Sequence, residues 1–474
     1  HRGQRRLNMA FTQLSFLFFF LPPGLLVHAV LPARAQKVWL LVLSLLFIAW
    51  GVPQDVILLA GSVVFNFLTG RQIERFLKKE KRALARSVLI SGVAVDLALL
   101  FFYKYDAFLW ENLNALFGLR HAVVQRTFPI GLSFFTFSVL SYLFDVWQKK
   151  SPAARNFLDF ALFVTFFAKI VSGPIQPYHA FCAQMENRAV TRKKTEAGVG
   201  LFVIGLAKKV LLSGALGTYF TMLSDAEPSN AGALLRLLMY AFMLYFDFSG
   251  YSDMAIGLGE CFGVSLPNNF DHPYCAESMT DFWRRWHISL GAWFRDYVYI
   301  PLGGNRKGKA RTMVNLAAVW VLTGLWHGAA WTFVLWGVYH LLLLLAEKFV
   351  FDGVLEKTPR ILKRVMTFAL SVFGWSCFFC ETPGELRDFI RSLFGAGCAL
   401  TDPTARYALL SGGVVLLIAF FAATPYPARM GVRLAQKHPL TARLLQFAMT
   451  AVLLVACIAF LLGDTFSAFL YAQF

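Results

Sequence analysis

The sequence predicts an all-α polytopic membrane protein with roughly 11 crossings and additional re-entrant or interfacial helices. Composition, the spacing of apolar runs and the placement of charge lead to that class. Of 474 residues, 57% are hydrophobic and 15% charged, against roughly 25% charged in an average soluble domain. Mean hydropathy is +0.57. The 49 Phe, 12 Trp and 15 Tyr are more aromatic surface than a soluble globule could hide. The same figures exclude disorder and collagen-like repetition. Net charge is +18, but the basic residues cluster between apolar runs. That is the positive-inside bias of a membrane protein, not a nucleic-acid surface.

Residues 1–8 are read as upstream of a natural start at Met9, and 9–474 as a single transmembrane domain. Phe11–Leu31, followed by Ala33-Arg34-Ala35, imitates a signal peptide. The run is longer than the roughly 7–15 residues of an h-region, so a retained first membrane helix is expected. Further candidates are Val38–Trp50, Val56–Thr69, Ser87–Tyr103, Phe128–Trp147, Phe157–Val171, Val199–Phe220 and Leu234–Phe248. Met313–Trp326, Thr332–Val350, Val365–Phe379, Tyr407–Ala423 and Leu444–Leu462 complete the set. A crossing needs about 20 apolar residues, and several runs are shorter. Val38–Trp50 and Val56–Thr69 flank Gly51 and Pro53, which suggests re-entrant or tilted helices lining protein-enclosed space.

Basic clusters at Arg71–Arg86, Gln148–Asn156, Asn305–Arg311 and Pro425–Arg443 should face the cytoplasm. Thr191–Lys194 is basic too, yet only Phe157–Val171 separates it from the cluster at 148–156. One crossing would put the two on opposite sides. A re-entrant path around Gly173-Pro174 resolves the conflict. No soluble domain and no obvious internal repeat interrupts the chain. The seven Cys are scattered and odd in number. Cys377 and Cys380 form a C-x-x-C inside an apolar run, with no second ligand pair, so buried thiols are expected rather than zinc or disulfides.

The candidate chemistry lies at about 245–340. Phe246–Asp253 reads F-D-F-S-G-Y-S-D, Asn268–Tyr274 N-N-F-D-H-P-Y, and Asp281–Leu290 D-F-W-R-R-W-H-I-S-L. Trp293–Arg306 reads W-F-R-D-Y-V-Y-I-P-L-G-G-N-R and Thr323–Trp331 T-G-L-W-H-G-A-A-W. Polar and aromatic residues alternating inside a membrane protein mark an interface or a cavity wall. His327, at the junction of two apolar runs, is a functional candidate because intramembrane ionisable groups are expensive; the alternative is a structural histidine bonded to a carbonyl. His287, within Arg284-Arg285-Trp286-His287, is either a second catalytic imidazole or part of an interfacial anchor. Arg284, Arg285 and Arg295 could hold donor phosphates or contact lipid headgroups. Trp286 and Trp326 flank the histidines. Asp247 and Asp253 could orient a histidine or pair with a cation. His28, His121, His179, His340 and His438 stand alone and are read as structural or surface residues, and His272, before Pro273, as structural. No H-E-x-x-H, clustered Cys/His or G-x-S-x-G occurs, so neither a metal site nor a hydrolase elbow is expected.

These blocks resemble the membrane-bound O-acyltransferase family, above all its bacterial alginate O-acetyltransferase membrane-subunit branch. Weaker matches are L-F-I-A-W-G near residue 50, F-P-I-G-L-S-F-F-T-F at 128–137, S-G-P-I-Q at 172–176 and the terminal F-L-Y-A-Q-F. The resemblance implies helices around a central tunnel, in the bacterial cytoplasmic membrane. It implies an acyl group, most readily acetyl, moved from a cytoplasmic thioester such as acetyl-CoA to a polysaccharide hydroxyl outside. The family's histidine falls on His327. Its second position, Asn or Asp in many eukaryotic members, falls on His287. It also implies an extracytoplasmic SGNH-like acyltransferase partner and no bound cofactor. The related D-alanine branch fits the W-H-I-S-L to G-G-N-R block less well. The rival reading from hydropathy alone is a transporter or flippase for a polysaccharide precursor.

Overall fold

Long apolar runs surrender no hydrogen-bonding capacity when they coil, because each helix satisfies its own backbone. The computed structural model describes residues 9–186, 188–395 and 397–463. The upstream segment 1–8 and the terminal F-L-Y-A-Q-F lie outside them. The described residues are helical with no named strand, and nine helices are long and apolar enough to cross a membrane. The chain divides into two units, 1–202 with 254–267 and 203–253 with 268–474.

In the first unit, a π-turn at Phe16–Phe20 leads into α1 (Leu21–Val30), α2 (Ala33–Gly51), α3 (Pro53–Lys78) and α4 (Arg82–Lys104). Then come α5 (Asp106–Phe117), α6 (Leu132–Trp147), α7 (Phe157–Thr165), α8 (Phe167–Ile170) and α9 (Tyr178–Glu186). The helix α10 (Arg192–Ala207) begins here. The short runs around Gly51 and Pro53 belong to helices long and apolar enough to cross a membrane: α2 has 19 residues and α3 has 26. Both helices continue past their apolar runs into polar sequence, so the basic stretch 71–86 is two helix ends joined by a brief turn. Close approach decides how α3 packs: a Cβ at Gly70 would lie 2.2 Å from the Tyr142 hydroxyl of α6. The stretch 157–171 does break, with α7 and α8 separated at Phe166. Thirteen helical residues cover only about 20 Å. Asp159 pairs with Lys37 at 3.0 Å and Arg188 donates to Gln36 at 2.5 Å. The start of α7 and the approach to α10 therefore both return to the N-terminal end of α2. The two basic segments on either side of this stretch thus approach one end of α2.

The second unit starts with the end of α10 and a π-helical turn, Lys208–Ser213, followed by α11 (Gly214–Ser224) and α12 (Asn230–Cys261), whose last residues belong to the first unit. Two short helices follow, α13 (Met279–Arg285) and α14 (Ile288–Phe294), then the hairpin of α15 (Gly308–His327) and α16 (Trp331–Phe349). The remainder is α17 (Asp352–Lys357), α18 (Arg360–Gly374), α19 (Ser376–Phe379), α20 (Pro383–Phe394), α21 (Pro403–Ala422), α22 (Tyr426–Lys437) and α23 (Pro439–Leu462). The basic stretch 425–443 is thus mostly α22, an amphipathic helix with no buried residue. All seven cysteines are free.

Polar contacts mark the two ends of this unit. At one, Lys348 donates to Asn305 at 3.0 Å, Glu347 accepts from the Met279 and Thr280 amides, and Glu277 is held by Arg360 and Arg364. At the other, Asn230 donates to the Ser392 carbonyl at 2.7 Å and Ser229 to Asp402. The segment Arg360–Phe379 runs between the ends. The basic stretch Asn305–Arg311 and the helix α20 therefore lie at opposite ends. Deeper in the unit, Lys208 pairs with Asp253 at 2.6 Å and Lys209 with Asp247.

Two predictions follow from charge placement. With native cysteines removed, a cysteine at Asp388 should be labelled by an impermeant thiol reagent on whole cells, and one at Lys307 should not; the reverse pattern inverts the orientation. Asp247→Asn should strand the buried Lys209 ammonium and cost about 3–5 kcal/mol, read as a lower unfolding temperature in detergent. Lys209→Met with Asp247→Leu should recover most of that loss.

Candidate active site

His287 sits where the backbone turns sharply. With Trp286 it links α13 to α14, and it stands at φ 47° and ψ 54°, in the left-handed region that costs a non-glycine residue free energy. The preceding polar stretch holds it there. The Ile288 amide donates to the Asn269 carbonyl at 3.0 Å, and the Asn269 side-chain oxygen accepts from the Ser289 amide at 3.2 Å and its hydroxyl at 2.6 Å. The Asp271 amide donates to the Arg285 carbonyl at 3.0 Å, and Phe270 bridges Trp286 antiparallel. The N-N-F-D stretch is thus a clamp on the histidine's turn. His287 is 3% exposed, edge-on to Phe248 at 4.7 Å. Burial pushes its imidazole down to about 3, so the ring is neutral at physiological pH.

His327 ends α15, and Gly328 continues in an extended conformation. A Cβ at Gly328 would lie 2.2 Å from the Phe333 ring, so this glycine lets the chain turn closely past it. The hairpin itself is drawn tight by two glycines. A Cβ at Gly324 would meet the Phe333 carbonyl at 2.6 Å, and one at Gly337 the Trp320 carbonyl at 2.6 Å. His327 is 3% exposed. Its ring meets Trp326 and Trp336 at 4.9 Å and Phe378 at 5.2 Å. Trp326 also touches His287, at 6.1 Å.

Both histidines line one cavity of about 170 Å³, together with Trp286, Tyr299 and Thr323. A larger cavity of about 810 Å³ is lined by Arg284, Arg295, Glu347 and Lys348. The two share Trp283, Gly291, Arg295, Leu316 and Trp320 as walls. The larger one reaches the end that bears Lys348 and Asn305; the smaller holds the imidazoles.

The remaining sequence candidates divide. Arg284 is exposed and lines the larger cavity; Arg295 lines both and is bonded to Asp296 at 2.7 Å. Arg285 lines neither and pairs with Asp281 at 2.9 Å. The hydrogen bonds that Arg285 and Arg295 donate to Asp281 and Asp296 raise the guanidinium pKa values against the opposing effect of burial. Asp247 and Asp253 pair with Lys209 and Lys208 and line neither cavity. Among the standalone histidines, His179 pairs with Asp145 at 3.0 Å and His121 stacks on Trp110. Lys348, Trp283 and Asn269 escaped the sequence reading. Asn269 stood in a quoted motif but without a role, and Lys348 closes an apolar run that drew attention only as a crossing. Among the described residues no three His, Cys, Asp or Glu side chains gather as a metal site would need.

A helical membrane protein with two buried imidazoles beside a cationic vestibule defines a class, and sequence comparison defines the family. The pattern described as MBOAT, membrane-bound O-acyltransferase family, matches residues 36–381. The chain belongs to that family: it is a multi-pass integral membrane O-acyltransferase. It is 40% identical to the probable alginate O-acetylase AlgI of Pseudomonas aeruginosa, over 82% of this chain and 75% of that one. With the protein of the same name from Azotobacter vinelandii it shares 38% identity over 91% and 87%. With the peptidoglycan O-acetyltransferase of Helicobacter pylori it shares 34% over 80% and 79%. Acyl transfer replaces the transporter reading.

Asn269→Ala removes the side-chain acceptor for Ser289 and should loosen the turn at His287. The expected loss is about 1–3 kcal/mol of stability, with acyl transfer lowered more than the folded yield. A variant with wild-type turnover would show that the clamp does not govern the site.

Proposed function

We propose that the protein transfers an acetyl group from a cytoplasmic acyl thioester to the outer side of a bacterial cytoplasmic membrane, for O-acetylation of a polysaccharide. The observation that carries this reading is the pair of neighbouring cavities that share a wall. The smaller is lined mostly by apolar and aromatic side chains and holds both imidazoles. The larger presents Arg284, Arg295 and Lys348, the cations that the phosphates of a nucleotide-linked thioester require. The relatives' names supply the acyl group and the acceptor class.

A hydroxyl is a weak nucleophile and must lose its proton as the new C–O bond forms. His327 is assigned as the general base, since an imidazole is the side chain suited to that proton near neutral pH. It takes the hydroxyl proton; the tetrahedral intermediate collapses, the C–S bond breaks, and the proton passes to the departing thiolate. His287, neutral and fixed by its clamped turn, is placed to donate a hydrogen bond to the carbonyl oxygen as it gains negative charge. Arg285, Asp247 and Asp253 belong to ion pairs that hold the scaffold. Trp286 and Trp326 confine the imidazoles.

No soluble domain stands on the described chain to grasp a polymer. The acceptor at the outer mouth is therefore taken to be a hydroxyl of an extracytoplasmic, SGNH-like partner, which passes the acetyl group to the polysaccharide.

Two measurements check this. His327→Ala should insert and purify normally but lose about 100- to 10,000-fold in rate; near-wild-type acylation would remove the base assignment. Proteoliposomes of the chain with acetyl-CoA and polymer should yield little O-acetylated product until the cognate partner is added. Robust acetylation by the chain alone would make it a complete transferase.

A further inference from the structure

His340 reads in the sequence as an isolated histidine in an apolar run. In the structure it is fully buried, at 0% exposure, one turn beyond Trp336 on α16. Its ring lies 4.8 Å from Trp283, 4.9 Å from Trp336, 5.0 Å from Tyr339 and 5.4 Å from Trp320. Among the described residues neither of its ring nitrogens has a hydrogen-bond partner, and the indole N–H groups of Trp283 and Trp336 are buried in the same state. Buried polar atoms are almost always satisfied, so four orphans on three touching rings require an explanation. A neutral imidazole offers one donor and one acceptor, and an indole only donates. The cluster therefore holds three donors and one acceptor. One water molecule can accept from both indoles and donate to the unprotonated imidazole nitrogen, which answers three of the four orphans.

The same indoles wall the active site. Trp283 and Trp320 line both cavities, and Trp336 stands edge-on to His327 at 4.9 Å. Gly374 of α18 keeps the space beside the imidazole: a Cβ there would lie 2.7 Å from His340 Nε2. We infer that His340 is a positioning residue for acyl transfer, which ties Trp283 and Trp336 together through a bound water and so fixes the wall against which His327 works. It touches neither substrate nor the reacting atoms; it acts through the two indoles. The inference rests on His327 being the base of the transfer.

His340→Phe keeps a ring and removes both nitrogens, His340→Gln keeps a donor and an acceptor, and Gly374→Ala crowds Nε2. Each is purified in detergent, checked for wild-type elution and thermal stability, and assayed in proteoliposomes with acetyl-CoA, partner and polymer, beside His327→Ala. His340→Phe should lower kcat by between about ten- and a hundredfold with KM for acetyl-CoA unchanged. His340→Gln should regain most of that loss, and Gly374→Ala should resemble His340→Phe. Where His340→Phe fails to fold, Gly374→Ala decides. A kcat within twofold of wild type in the deciding variant overturns the inference, as does an equal loss in the Phe and Gln variants. Full loss in His327→Ala with normal turnover in His340→Phe overturns this inference alone. Activity retained in His327→Ala overturns the base assignment and this inference with it.

Discussion

Hydrocarbon offers no hydrogen bonds, so each polar atom on a membrane-embedded helix must be answered from within the protein. The adjacent pairs Lys208–Asp253 and Lys209–Asp247 follow from that constraint. The aspartates stand six residues apart on α12, about one and two-thirds turns. The lysines are neighbours on the π-helical turn Lys208–Ser213, whose wider winding changes the angle at which successive side chains leave the axis. Either lysine alone would be a buried charge that destabilises the fold. Paired, each ties the α10–α11 segment to α12, the helix whose Phe248 packs against His287. The His287 imidazole thus rests on a helix that is fixed by charge.

The same constraint explains why the histidines stand at helix breaks. A mid-helix imidazole points along a face already committed to packing, whereas a break frees a side chain to enter a cavity. His287 occupies a left-handed turn between two seven-residue helices, a conformation that costs about 1–3 kcal/mol unless its surroundings enforce it. Asn269 and the Phe270–Trp286 bridge enforce it. His327 closes α15 at a glycine that admits Phe333. In both places the polar sequence around the histidine serves the turn before it serves the chemistry.

The class of fold was legible because composition and run length are properties of whole segments. Charge showed that the stretch between the basic clusters at 148–156 and 191–194 could not be one plain crossing, and there the helix breaks at Phe166. The helix ends were not: α3 continues through Arg71 and Arg75 to Lys78, because long basic side chains can reach water from a helix that is still in the membrane. At the site, the resemblance singled out His287 and His327, which line one cavity, but pattern alone cannot say which neighbours join them there. Arg284 and Arg285 are adjacent letters on α13; one faces the larger cavity and the other turns to Asp281. Asp247 and Asp253 sit among aromatic residues of the core motif, yet their partners are lysines some forty positions earlier. Contacts at that separation leave no periodic trace in a single sequence. His340 was set aside for a similar reason, since three of the rings that enclose it come from Trp283, Trp320 and Trp336, on three different helices.

Tryptophan is a demanding choice for such a wall. Its indole buries more surface than any other side chain but brings an N–H that must be satisfied. Leucine or phenylalanine would exclude water equally well without that demand. What tryptophan adds is rigidity: a large flat ring with two torsions and, at its far end, an N–H that a hydrogen bond can anchor. The α15–α16 crossing makes room for it, because Gly324 and Gly337 bring the two backbones together and let Trp320 and Trp336 splay past each other towards His327 and His340. An acyl-transfer site gains from walls that do not move, because donors and bases that are already in place need no reorganisation as charge develops. On this view the glycines, the indoles and the buried His340 form one device. The backbone approach sets the spacing, the rings fill it, and the polar atoms behind them are placed to hold the rings in register with His327.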